Sequence, residues 1–204
     1  ATGGIDVVTG LNNVLTLKSS SGSVISMLTT LVTSILEVNT SLNLENAMHL
    51  ASNFFNISKN DINSDYIALN LHDAEKASIQ TYNAIVLANI LSGGSNLSKR
   101  GVRNRAVVNN LDKLPHGLAI HVMTEGGAKY FHADLLPEII NNTDGVVSLD
   151  DDATAIWSEV FSIAFAKVEG PVDVPKLSMQ FLDDIVDSDI YDDVVKSTSY
   201  IEKV

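Results

Sequence analysis

The chain has 204 residues, 45% of them hydrophobic and 19% charged, a globular composition long enough to bury a core without a covalent staple. It contains no cysteine, which excludes disulfides, thiolate zinc sites and a cysteine nucleophile. Its formal net charge of −12 repels nucleic acid and anionic membrane at long range, so any contact with RNA has to come from a local basic patch.

Residues 1–21 are rich in Gly, Ser and Thr around an apolar piece at 5–17 and read as an N-terminal arm. The opening Ala1-Thr2-Gly3-Gly4 has neither the basic nor the apolar region of a signal peptide and reads as a cytosolic start. Val24, Ile25, Leu28, Leu31, Val32, Ile35 and Leu36 recur at helical spacing opposite a face of Ser and Thr, which predicts a helix. Asn43 is the expected N-cap of a second helix, with Leu44, Ala47, Met48, Leu50, Ala51, Phe54 and Phe55 on its apolar side. A polar connector over 58–64 follows, then a short strand or turn at Tyr66-Ile67-Ala68-Leu69. A long helix is predicted from near Asp73 to Leu91, apolar all round in its second half and so buried on all sides, with Gly93-Gly94 as its stop.

Residues 96–114 predict a further helix that ends at Pro115, and 117–123 alternates like a strand. A helix over 128–140 is kinked or interrupted by Pro137, and a turn covers 141–145. The clearest element lies at 150–168, where Ala153, Ile156, Trp157, Val160, Phe161, Ala164 and Val168 form one stripe that Gly170-Pro171 closes. Two shorter amphipathic segments with acidic outer faces make up 175–204. No apolar run approaches the ~20 residues needed to span a bilayer. The expected fold is therefore mainly α, a helical bundle with at most a small β element. It divides into an arm at 1–21, a helical core at 22–170 and an acidic helical C-terminal segment at 171–204 packed on the same domain.

The positive charge has an uneven distribution. Every arginine of the chain, Arg100, Arg103 and Arg105, lies in Ser98-Lys99-Arg100-Gly101-Val102-Arg103-Asn104-Arg105, while scattered positions elsewhere use lysine. The planar five-donor guanidinium suits phosphate better than a point-charge ammonium does. On a helix Arg100 and Arg103 share a face with Lys99 beside them, and Gly101 lets a backbone approach. This is a candidate phosphate-backbone site; the plainer alternative is a solvated face, or salt bridges to the acidic surplus. Asp150, Asp151 and Asp152 open the helix at 150–168, where carboxylates cap the helix and meet the positive end of its macrodipole. Their functional alternatives are a metal site or hydrogen bonds to ribose hydroxyls. The EF-hand spacing fails, because Gly145 sits at the wrong offset and no Glu closes a loop. His49, His72, His116, His121 and His132 form no metal-binding motif, although His116 and His121 could meet across a turn. Phosphate-binding and nucleophile-elbow glycine motifs are missing, so neither a cofactor nor a catalytic residue is expected.

Three pieces in order carry a resemblance: Tyr82-Asn83-Ala84-Ile85 within a helix, Arg103-Asn104-Arg105 after it, and Asp151-Asp152-Ala153-Thr154 opening a later helix. Asn63-Ser64-Asp65-Tyr66 adds a fourth. Together they resemble the coat proteins of rigid rod-shaped plant RNA viruses of the tobacco mosaic virus type. The resemblance implies a bundle in which Arg103 and Arg105 bind RNA phosphates and Asp151 and Asp152 lie at the RNA radius. The stretch between Leu111 and Ser148, the small number of arginines and the carboxy-terminal third depart from that pattern.

The sequence thus points to a structural coat or nucleocapsid-type protein, not an enzyme, with itself and single-stranded RNA as partners and no membrane. Its expected location is the virion and host cytoplasm if viral, and otherwise the cytoplasm. Arg100, Arg103, Arg105 and Lys99 are the candidate phosphate ligands. Asp150, Asp151 and Asp152 are candidate RNA-proximal or assembly carboxylates. Two other classes remain open: a helical scaffold whose arginines dock an acidic partner, and an enzyme of unknown class built on His116, His121 or His132.

Overall fold

The structure, a computed structural model, describes residues 15–20, 22, 24–92, 112–125 and 135–144. Within them the fold is mainly α. The helices are α1 (Met27–Val38), α2 (Leu44–Phe55), α3 (Lys59–Ile62), α4 (His72–Ser92), α5 (Leu114–Glu125) and α6 (Leu135–Asn141), and no strand occurs among the described residues. The elements expected at 96–111, 128–134 and 150–204 lie outside them, as do residues 1–14 of the arm.

Helix α1 starts where Ser26 can cap it. The Ser26 hydroxyl accepts from the Thr29 amide at 3.2 Å, and the Ser26 amide donates to Thr29 Oγ1 at 2.8 Å, a reciprocal box that satisfies two otherwise orphaned donors. Ile25, expected in the apolar stripe, falls before the cap and is exposed. Leu28, Leu31, Val32 and Ile35 are buried as their spacing predicts. The Ser/Thr face, however, is no solvent face: Thr29, Thr30 and Ser34 are buried too. Part of the arm covers it. Leu15 enters the core, and the Lys18 backbone is held between two hydroxyls, its amide donating to Thr30 Oγ1 at 2.9 Å and its carbonyl accepting from Thr29 Oγ1 at 2.9 Å.

Asn43 caps α2 as expected, its Oδ1 accepting from the Asn46 amide at 2.9 Å, a contact worth about 1 kcal/mol over alanine. Ala47, Ala51, Phe54 and Phe55 are buried, with Leu44, Met48 and Leu50 packed around them. Asn56 ends the helix at φ 53°, in the left-handed region that asparagine tolerates. The polar connector at 58–64 contains a single helical turn, α3, because Ile62 is an apolar anchor that the core buries completely. Residues 66–70 form a turn rather than a strand. It is closed by Leu69 N–H to Asp65 O and Leu71 N–H to Tyr66 O, with Asn70 at φ 54°.

Along α4, Ala74, Ala77, Thr81, Ala84, Ile85 and Ala88 run as one buried stripe in which alanines let neighbouring helices come close. Gln80 and Asn89 are buried as well, so its core side is not purely apolar. The expected burial on all sides of its second half rests partly on residues outside the described side chains.

The strand expected at 117–123 is wrong: these residues belong to α5. Nor does Pro115 end a helix. Asp112 and Lys113 form a turn, Leu114 opens α5, and Pro115 stands in its first turn, where a missing N–H costs no intrahelical bond. Pro137 lies inside α6 and does not end it, while the stretch at 128–134, against which a kink or break is expected, lies outside the described residues. Helix α1 packs most extensively on α5 and also on α2 and α4, while α6 closes against α4 and α5.

Gly117 fixes the α5–α6 approach. A Cβ at this position would collide with Thr143 Oγ1 and with the Ile139 carbonyl oxygen, the same oxygen to which Thr143 Oγ1 donates at 2.6 Å. Because one of these neighbours is backbone, α6 has to move. Gly117→Ala is expected to destabilise the fold by about 3 kcal/mol in urea denaturation. Adding Thr143→Ala should restore little, since the carbonyl remains. A loss under about 0.5 kcal/mol, the ordinary scale of a surface change, would show that this approach is not tight in solution.

Candidate functional site

The arginine segment is placed by connectivity. Helix α4 is described as far as Ser92 and α5 from Leu114, so Lys99, Arg100, Arg103 and Arg105 lie in sequence between two helices that contact each other in the bundle. These four residues, and Asp150, Asp151 and Asp152, lie outside the described residues, as does His132. Two pieces of the coat-protein resemblance are described. Ala84 and Ile85 are core residues of α4, with Tyr82 packed against the core. In the other piece Asp65 Oδ1 accepts from the Ala68 amide at 3.0 Å, and the Tyr66 hydroxyl lies 2.8 Å from Ser78 Oγ.

The candidate histidines separate. His116 and His121 stand on one helix rather than across a turn, and their environments differ. His121 is buried, edge-on to Phe54 with ring centroids 5.8 Å apart, and its Nδ1 lies 4.0 Å from Glu138 Oε2. His116 is half-exposed, with Nε2 2.8 Å from Glu37 Oε2. His49 and His72 sit beside Glu45 and Glu75 at 3.8 and 3.7 Å on the surface. No group of three His, Asp or Glu side chains is arranged to hold a metal among the described residues. No described helix is long and apolar enough to cross a membrane.

One polar centre was not anticipated from sequence. Glu37, in the last turn of α1, receives the Lys18 ammonium at 2.9 Å on Oε1 and 2.7 Å on Oε2, while His116 of α5 shares Oε2. An ionised carboxylate only accepts, so His116 carries a proton on Nε2. Burial alone would push the Glu37 carboxyl up, but hydrogen bonds from Lys18 and His116, and their charges, outweigh it and hold the group below the ordinary carboxylate value. A signal for this centre exists in the sequence. A glutamate at a helix C-terminus and a histidine at a helix N-terminus both oppose the macrodipole, and here each offsets the other. The second carboxylate whose pKa is lowered, Glu45 of α2, is fully exposed; the hydrogen bond from Lys59 is the main cause, and it ties α3 to α2.

Comparison with known proteins adds no class to this fold: no family model, curated protein or solved structure matches the chain.

Proposed function

We propose that this chain is a coat or nucleocapsid-type structural protein that assembles into a helical homopolymer around single-stranded RNA. Arg100, Arg103 and Arg105, with Lys99, hold phosphate. The observation that carries this reading is the gathering of every arginine into one short segment of a chain with net charge −12. That segment lies in sequence between α4 and α5, two helices that contact each other within the bundle. One concentrated cationic spot per copy is what a filament subunit needs, because repetition along the polymer multiplies weak contacts. An acidic exterior keeps filaments soluble and apart. The ordered resemblance to tobacco mosaic virus-type coat proteins supports the same roles and adds Asp151 and Asp152 at the RNA radius, with Asp150 beside them. Backbone contacts of this kind read little sequence, so the RNA preference is broad.

Negative-stain microscopy of the native material, together with its absorbance at 260 and 280 nm, tests the reading. Filaments with excess absorbance at 260 nm are expected. Filaments without nucleic acid would remove the RNA role and leave assembly. Dispersed particles that stay dispersed and bind no added RNA would sink the proposal in favour of a scaffold that docks an acidic partner.

A further inference from the structure

We propose that Glu37 is a proton-operated latch: its carboxylate clasps the strap of residues 15–20 and the first turn of α5 onto α1, and its protonation loosens the strap. The geometry sets this out. Burial of Leu15 ties the strap to the core, and the Lys18 backbone between Thr29 and Thr30 and the Lys18 ammonium on both oxygens of Glu37 tie it to α1. Ser20 Oγ adds a contact to Thr33 Oγ1 at 2.9 Å. Gly22, at φ 89° with open space around its Cα, turns the chain between strap and helix. Only the ammonium–carboxylate contact among these depends on a proton.

The surrounding charges isolate the latch. From the strap, Lys18 faces Glu37; from α5, His116 does. Asp112 and Lys113 precede α5, and neither pairs with Glu37 among the described residues. The charged groups of α2 (Glu45, His49) are engaged with each other and with Lys59. On α4, His72 and Glu75 pair together, and neither Asp73 nor Lys76 forms an ion pair among the described residues. Glu138 of α6 lies beside His121. One carboxylate therefore answers to two cations. Once it is protonated, at a pH where imidazoles are charged, Lys18 and His116 are left as like charges around a neutral acid. The buried Leu15 and the threonine contacts remain, so the strap loosens at Lys18 while the bundle stays folded.

The sign follows from the direction of the shift. A carboxyl held below its ordinary value contributes above that value and loses the contribution as pH falls through its lowered one. The three side chains are 31 to 40% exposed, so the contribution is that of a surface pair.

Amide hydrogen exchange at Lys18 reads the latch, because that N–H donates to Thr30 Oγ1. Protection, corrected for the intrinsic rate, is expected to fall about fivefold between about pH 6 and about pH 3. The Ile57 amide, bonded to Ser52 O at the end of α2, is expected to hold. Glu37→Gln should start low and stay flat. Lys18→Met, which leaves α1 untouched, should do the same and serves if Glu37→Gln does not fold. Unchanged wild-type protection would overturn the latch. So would a fall of the same size in both variants, or a matching fall at Ile57, which would mean general acid loosening.

Discussion

Replacing Arg100, Arg103 and Arg105 together by alanine is expected to abolish RNA binding. Single-stranded RNA releases counterions as cations neutralise its phosphates, and the logarithm of affinity falls with the logarithm of salt by about 0.7 per phosphate engaged. The three guanidiniums therefore contribute about −2 to the slope and Lys99 about −0.7 more, to be measured by anisotropy of a labelled oligouridylate between about 50 and about 200 mM salt. The triple alanine variant removes three of the four charges from a chain already at −12, so long-range repulsion dominates and the slope shrinks to at most the about −0.7 that Lys99 can supply. A triple lysine variant separates charge from geometry. It keeps the slope but loses the two-pronged hydrogen bonds, and about tenfold weaker binding is expected. Circular dichroism of both variants shows whether the bundle persists. An alanine variant that folds and binds with unchanged affinity and slope would remove the arginines from the RNA role altogether.

How far the molecule was legible in its sequence depended on what each residue reports. Spacing of large aliphatics found α1 and α2, because Leu28, Leu31, Ile35, Phe54 and Phe55 have no alternative to burial. The cap at Asn43 was legible because its chemistry is local. Residues with two possible meanings caused the errors. Gly117 looked like the edge of a strand, but it is the place where α6 meets α5, and nothing local announces a contact with Thr143. Pro115 looked like a stop and stands in the first turn of α5, a reading that depends on knowing where the helix begins. Thr29 and Thr30 stand on the face opposite the aliphatic stripe, and spacing alone does not show that they are buried, because it is the strap that brings backbone partners to their hydroxyls. The centre at Glu37 was missed because its signal, a histidine at a helix N-terminus opposite a glutamate at a helix C-terminus, needs the start of α5 to be placed correctly, and Lys18 and His116 meet Glu37 only in the fold. The arginine segment stood out for a different reason. Its signal is compositional, the clustering of one residue type, and needs no fold to be seen.

Phe54→Ala is the substitution expected to cost the described bundle most, about 4 kcal/mol. The side chain is 1% exposed, and it is the element of α2 that meets two other rings: Phe55 at 5.1 Å and 74°, and His121 of α5 at 5.8 Å and 87°. Both are edge-to-face arrangements, in which the positive rim of one ring meets the negative face of the other and adds about 1 kcal/mol each beyond buried area. Truncation removes the ring, leaves a cavity between α2 and α5, and takes from the buried His121 its aromatic partner. Phe54→Leu fills most of the volume without the ring interactions and should cost about half as much. The difference between the two variants therefore separates cavity from aromatic geometry. Equal costs would mean that volume is irrelevant there, contrary to this packing. The consequence reaches the candidate site through α5, which takes up the chain directly after the arginine segment and is held against α2 by this contact. A domain of ordinary stability, about 5 to 15 kcal/mol, that loses about 4 stays largely folded, but α5 is held less firmly. If the proposed RNA site depends on a fixed α4–α5 frame, Phe54→Ala should weaken oligouridylate binding while keeping the wild-type salt slope, since the charges are all still present. A slope that fell with the affinity would instead mean that guanidiniums had left the phosphates, and that the frame selects which of them engage.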